Sequence, residues 1–243
     1  METTIMVQNL FKSYGNIPAI QDINISVRQG EVFGLLGANG AGKSTTIECI
    51  LGTKIADKGI VSILGMNPIS DRKRLFENVG VQFQESNYQD KVTVSELCEV
   101  TQSLYKESTN YTSLIEQFGL TDKLKSPVSE LSGGQRQKLF IVLALIPNPK
   151  VVFLDELTTG LDTKARREVW NCLTRLKEQG LTIFLTSHFM DEVEALCDRI
   201  AILKKGQIVF MGTVTEATQS SPYEKFEDVY LWYAEEENEN ENL

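Results

Sequence analysis

The run GANGAGKST, residues 37–45, places glycines five residues apart directly ahead of Lys43 and Ser44. This is the pattern G-x-x-x-x-G-K-[ST]. Glycines let the backbone wrap an anion without side-chain clash, so the loop suits phosphates. Lys43 is expected to reach the β- and γ-phosphates of a nucleotide, and the Ser44 hydroxyl to ligate Mg²⁺. A second candidate is VVFLDE, residues 151–156, an apolar run ending in two carboxylates. Charge at such a place needs a partner, because burying it unpaired is costly. A metal ion facing Asp155 supplies one, leaving Glu156 to orient or deprotonate an attacking water. His188, the single histidine, follows LTIFLTS, where a neutral imidazole can donate to a phosphate oxygen. Gln84 ends the run VGVQFQ and could touch Mg²⁺ or the water, with Gln82 as a competing candidate. Tyr14, in FKSYG, could stack on a nucleobase or simply pack. LSGGQRQKL, residues 131–139, sets two glycines at the start of a helix-like run, a second anion-friendly helix start.

These residues need a scaffold, and the pattern around them describes one. TIMVQNLFKSYG and AIQDINISVRQG alternate apolar and polar residues with glycine at the breaks, as strands do. EVFGLLG reads as a buried strand entering the glycine loop, and KSTTIECILGT as a helix ending near Gly52. Residues 87–148 change character and predict a mostly helical lobe. Within it, TVSELCEVTQSLY has a cap at Thr93 or Ser95 and helical spacing at Leu97, Val100 and Leu104. Strands return at KVVFLDE and LTIFLTSH. Between them, TKARREVWNCLTRLKEQG sets Ala165, Val169, Cys172, Leu173 and Leu176 on one face of a helix ending at Gly180. Strand, helix, strand implies a parallel sheet with right-handed crossovers. RIAILKKGQIVFMG reads as a closing hairpin. A final helix carries Phe226, Val229, Tyr230 and Tyr233 on one side. Residues 1–233 are read as one α/β domain, and 234–243 as an acidic, disordered tail.

The bulk numbers narrow the partners. The 243 residues carry a net charge of −9, with 42% hydrophobic and 23% charged residues. Residues 224–243 hold eight acidic residues and one Lys, so the rest of the chain is nearly balanced. That argues against a nucleic-acid surface, which needs a net basic patch. The four cysteines, Cys49, Cys98, Cys172 and Cys197, form no closely spaced pair, and zinc is not expected with one histidine. Buried free thiols in a reducing cytosol are expected instead. The start METTIMVQNLFKSYG lacks the basic and apolar pattern of a signal peptide. The longest apolar run, LFIVLALI, is far short of the ~20 residues of a membrane span.

Taken in order, the phosphate loop, LSGGQ, VVFLDE, TTGLD and a strand-end histidine resemble the nucleotide-binding subunit of an ATP-binding cassette (ABC) transporter over about residues 5–233. The resemblance implies a P-loop NTPase, RecA-like core with a parallel sheet. It also implies an N-terminal antiparallel β-subdomain and an inserted α-helical signature subdomain. It implies that Tyr14 stacks on adenine and that Gly37, Asn39, Gly40, Gly42, Lys43, Ser44 and Thr45 bind the phosphates of ATP. Ser44, Gln84 and Asp155 would serve Mg²⁺, and Gln84 would link the site to a transmembrane partner. Glu156 would be the base and His188 the contact to the γ-phosphate. Ser132, Gly133, Gly134 and Gln135 match the signature, which in this family faces the ATP of a second, head-to-tail subunit. Gly160–Asp162 match the loop that crosses that interface. Two positions depart from the family: Ala38 stands where Pro is frequent, and Leu157 where Pro usually follows the base. Losing that ring frees the local φ angle and is expected to loosen Glu156, with activity surviving.

SHFMDEVEALCDRIAILKKGQIVFMGT and FEDVYL resemble the bacterial ABC-2 exporter branch and point to export through a separate permease, at the cytoplasmic face of the membrane. The alternative is a soluble ABC ATPase that remodels a ribosome or nucleic-acid complex. Against it stand the single cassette, the short span of about 45 residues between Gln84 and Leu131, and the missing basic patch.

Overall fold

The computed structural model describes residues 2–82 and 91–234. Gln84 and residues 235–243 of the acidic tail lie outside the described residues.

The chain opens with two long strands, β1 (Thr3–Tyr14) and β2 (Ile17–Arg28), and then β3 (Val32–Gly37), which runs through the phosphate loop into helix α1 (Lys43–Ile50). Strand β4 (Lys58–Ile63), the short helix α2 (Arg72–Leu75) and strand β5 (Val79–Gln82) follow. Next come α3 (Val94–Ser103), α4 (Tyr111–Gln117) and α5 (Gly133–Leu145). The core resumes with β6 (Val151–Leu154), α6 (Thr163–Glu178), β7 (Thr182–Thr186) and α7 (Met190–Leu196). The chain then forms β8 (Arg199–Lys204), β9 (Gln207–Gly212), α8 (Val214–Gln219) and α9 (Phe226–Ala234).

Two sheets result. The smaller is antiparallel, in the order β2-β1-β4. The larger has the order β5-β6-β7-β3-β8-β9 and is parallel except for β9, which pairs antiparallel with β8 in the expected hairpin. Strands β3, β6 and β7 are buried along their whole length, as strands covered on both faces must be. One face carries Phe33, Phe184 and Phe153, which stack across β3, β7 and β6 with centroids 5.5 and 5.3 Å apart. These rings meet Ile5, Val7, Ile23 and Ile25 of the small sheet in one core. The alternate residues Val32, Ile183 and Val152 meet the helical side, including Leu139, Val142, Val169 and Leu173. A smaller cluster under α7, α8 and α9 holds Val193, Ala217, Phe226 and Val229.

Helix α5 connects the helical lobe to the sheet. A Cβ at Gly80 would overlap the carbonyl oxygen of Ala144, so the end of α5 lies directly on the start of β5. Near its other end, Gln137 reaches the carbonyls that follow β6. The helix therefore runs antiparallel to the strands, and its N-terminus stands at their carboxyl edge.

One helix face differs from the expected spacing. Thr93 caps α3, in a reciprocal box with Glu96, but the buried side chains are Val94 and Cys98. Val100 is 58% exposed and Leu104 74% exposed, while Leu97 is only partly packed. The short helix carries two apolar stripes at compatible spacing, and its neighbours Leu114 and Ile115 on α4 cover only one. Burial holds the Cys98 thiol up to about 12, as an inert core thiol requires.

Candidate functional site

Strands β6, β7 and β3 are adjacent and parallel, so their carboxyl ends lie side by side. The loops leaving those ends carry Asp155–Glu156, Ser187–His188 and the phosphate loop. Ligands collect at such an edge in open α/β sheets.

The phosphate loop is shaped by contacts that admit no side chain. Gly42 has φ +108°, and a Cβ there would sit 2.6 Å from the Ala19 carbonyl oxygen. Gly42 precedes α1 without a side-chain cap, which leaves the first N–H groups of the helix turned toward the loop. Lys43 is 8% exposed, and its ammonium donates to the carbonyls of Gly37 at 2.7 Å and Ala38 at 3.2 Å. Burial pushes its pKa below the ordinary lysine value, and the charges of Glu156 and Asp155 oppose that shift. Ala38, Asn39, Gly40 and Ser44 are exposed, and Thr45 is half-buried.

Asp155 is half-buried, and burial raises its pKa above the ordinary aspartate value. The Glu156 charge adds to the rise, while the Thr186 hydroxyl, Lys43 and His188 oppose it. Thr186 Oγ1 donates to Asp155 Oδ1 at 2.5 Å and accepts from the Glu156 N–H at 2.9 Å. Glu156 has φ +51°, the left-handed region, rare for a residue with a side chain. Its Oε1 lies 2.8 Å from His188 Nε2. Leu157, in place of a ring, is fully buried in the helix-side core. Its carbonyl accepts from Gln137 Nε2 at 2.8 Å, and that of Glu156 from the same amide at 3.2 Å. Packing and hydrogen bonds thus hold the segment that a proline would otherwise restrict.

The signature residues lie on the first turn of α5. Ser132 caps the helix and shares a capping box with Gln135: the Ser132 N–H donates to Gln135 Oε1 at 3.0 Å, and the Gln135 N–H to Ser132 Oγ at 3.2 Å. Ser132 and Gly133 are exposed. Gly134 packs against Leu161, whose Cδ2 a Cβ would meet at 3.0 Å. Asp162 caps α6 by accepting from the Ala165 N–H at 2.8 Å. Tyr14 is 47% exposed at the end of β1, with the ammonium groups of Lys12 and Lys54 5.9 and 5.4 Å from its ring centroid. It is not a core residue. Gln82, the competitor of Gln84, is buried at the end of β5, beside Leu154.

Three residues at this edge were not singled out from the sequence. Thr186 ties Asp155 to the backbone of Glu156, and its only sequence signal is a hydroxyl at the end of an apolar strand. Gln137 lies one turn into the signature helix. Glu192, on α7, is fully buried and accepts from Trp170 Nε1 at 3.1 Å. Burial lifts its pKa above the ordinary glutamate value, and the Trp170 N–H opposes the rise. Glu192 thus ties α7 to α6.

A family model described as "ABC transporter" matches residues 20–159, more than half of the chain. The chain belongs to the ABC transporter family. Among curated proteins, it is 42% identical to a Nod factor export ATP-binding protein I of Mesorhizobium japonicum, over 83% of this chain and 61% of that protein. It is 33% identical to a linearmycin resistance ATP-binding protein of Bacillus subtilis, over 87% of this chain and 70% of that protein. The chain therefore spans less than two thirds of the length of the first of these relatives. Among solved structures it is similar to an ATP-binding subunit of an ABC transporter, with a TM-score of 0.87 at 26% identity, covering 95% of this chain and 99% of the other. The ABC fold is the one described above: a mixed α/β core with a parallel sheet and a separate antiparallel β-subdomain. Membership of the ABC family implies ATP binding. No helix among the described residues is long and apolar enough to cross a membrane.

Proposed function

We propose that this chain hydrolyses ATP to drive export through an integral membrane permease, paired with a second ABC subunit at the cytoplasmic face of the membrane. The observation that carries the reading is the meeting of Lys43, Asp155 and the Glu156–His188 pair, 2.8 Å apart, at one sheet edge. The names of the Mesorhizobium and Bacillus relatives, for export and for resistance, support the direction.

In this reading the backbone of residues 37–45 and the Lys43 ammonium hold the β- and γ-phosphates, and Tyr14 stacks on the adenine. Glu156 takes a proton from the attacking water as its oxygen bonds to the γ-phosphorus. The bond to the β-phosphate oxygen breaks, and ADP and phosphate leave. His188 holds the Glu156 carboxylate in place and contacts the γ-phosphate. Across the pair, Ser132, Gly133, Gly134 and Gln135 of each subunit face the other's nucleotide, with Asp162 at the crossing loop. Exposed N–H groups at a helix start suit that task. Gln84 would report nucleotide occupancy to the permease.

The donor set fits Mg²⁺. The Ser44 hydroxyl and the Asp155 carboxylate are hard oxygen ligands, and a half-buried carboxylate whose proton is held too tightly is one that a cation would relieve. When bound, Mg²⁺ supplies charge neutralisation on the phosphate oxygens.

The test is tagged Glu156→Gln chain, retrieved with Mg-ATP from detergent-solubilised native membranes. The variant is expected to bind ATP while turnover falls about 10²-fold or more, and to bring a polytopic membrane protein with it. A second, different ABC subunit in the sample would identify a mixed pair. Recovery of ribosomal proteins or nucleic acid alone would replace the exporter with a soluble remodelling machine. Wild-type turnover in the variant would remove Glu156 as the base.

A further inference from the structure

We infer that Gln137 is the positioning residue that sets the catalytic geometry of Glu156, an inference that rests on the role given to Glu156 above. Glu156 occupies the left-handed region at φ +51°, which its side chain disfavours, so something must hold it there. The Thr186 hydroxyl holds its N–H from β7. On the carbonyl side, the Gln137 amide donates to two successive oxygens, those of Glu156 at 3.2 Å and Leu157 at 2.8 Å. One side-chain amide spanning consecutive carbonyls fixes the peptide plane between them, and that plane orients the Cα–Cβ bond of Glu156. Leu157 carries no ring that would restrict the same peptide from its own side.

The amide is itself held. Gly134, three residues before it, packs against Leu161, and Lys138, the next residue, pairs with Glu168 of α6 at 2.8 Å. The first turns of α5 are therefore joined to the segment 156–161 through Gly134 and Gln137, and to α6 through Lys138. His188 and Thr186, by contrast, come from the β7 side. The angle between the Glu156 carboxylate and His188 thus depends on where α5 places Gln137. A carboxylate that must meet a water beside the γ-phosphate is sensitive to such placement, because a misplacement of about 1 Å costs about 10²-fold in rate.

The experiment uses the full chain, with phosphate release measured across ATP concentration. Gln137→Leu removes the donor, and Gln137→Glu keeps the shape but presents acceptor oxygens to the carbonyls. If one variant melts well below the wild type, the other serves. We expect kcat to fall about tenfold to a hundredfold while KM for ATP stays within about twofold. In the Glu156→Gln background, Gln137→Leu should lower the residual rate no further, because it acts through Glu156. Wild-type kcat in both Gln137 variants overturns the inference. So does a loss confined to KM, or a loss that multiplies with that of Glu156→Gln. Failure of the base assignment reads differently: Glu156→Gln alone would then turn over like the wild type.

Discussion

A carboxylate at the end of a buried strand is uncomfortable unless its charge has a use. Burial holds the proton of Asp155 more tightly in the folded chain than in the unfolded one, where the ordinary value is 3.8. A group raised in this way gives its full stability below 3.8 and loses it as pH rises through the higher native value. At neutral pH the ionised Asp155 therefore weakens the free fold. Asp155→Asn should raise the melting temperature at neutral pH, with the gain fading as pH falls toward 3.8, and should abolish Mg-dependent turnover. Thermal melts across that range would show it, and equal melting at every pH would contradict the cause given for the shift. At this scale much was legible. Lys43, Asp155, Glu156 and His188 stood out because charged or polar types at the ends of apolar runs are unusual. Thr186 and Gln137 did not, because each acts through a hydrogen bond to a segment distant in sequence, and no spacing rule links them to it.

Elements were legible where periodicity was strong. Val169, Cys172 and Leu173 of α6 face inward as their spacing predicts, with Ala165 and Leu176 partly buried on the same face. Helix α3 shows the limit, since the choice between its two apolar stripes is made by α4. The contact between α6 and α7 was hidden for a related reason. Glu192 sits beside Val193 on the buried side of a short, acidic helix, and charge in sequence reads as surface. Its carboxyl receives the Trp170 N–H in a site without solvent. Glu192→Ala leaves that donor unpaired and opens a cavity, and should cost about 2–4 kcal/mol of stability. Glu192→Gln keeps an acceptor without charge and should recover most of the loss. Urea unfolding of the pair would decide it. If Gln fell as far as Ala, the ionised carboxylate itself would be what the site needs.

At the scale of the molecule, the sequence announced a parallel sheet but not its order. β3 lies between β7 and β8, strands far along the chain, and this arrangement gathers the three loops of the site. No local pattern encodes such pairings; they follow from packing both faces of the sheet at once. The seat of α5 on β5 has a consequence for genetics. Gly80 has an ordinary backbone conformation, yet any side chain there would strike the Ala144 carbonyl. In a saturation screen for function, position 80 should be as intolerant as position 43. The purified proteins would separate the two: Lys43→Ala should melt like the wild type and fail to bind ATP, while Gly80→Ala should be poorly folded. A screen ranks positions by damage, and in a close-packed molecule damage is blind to distance from the chemistry.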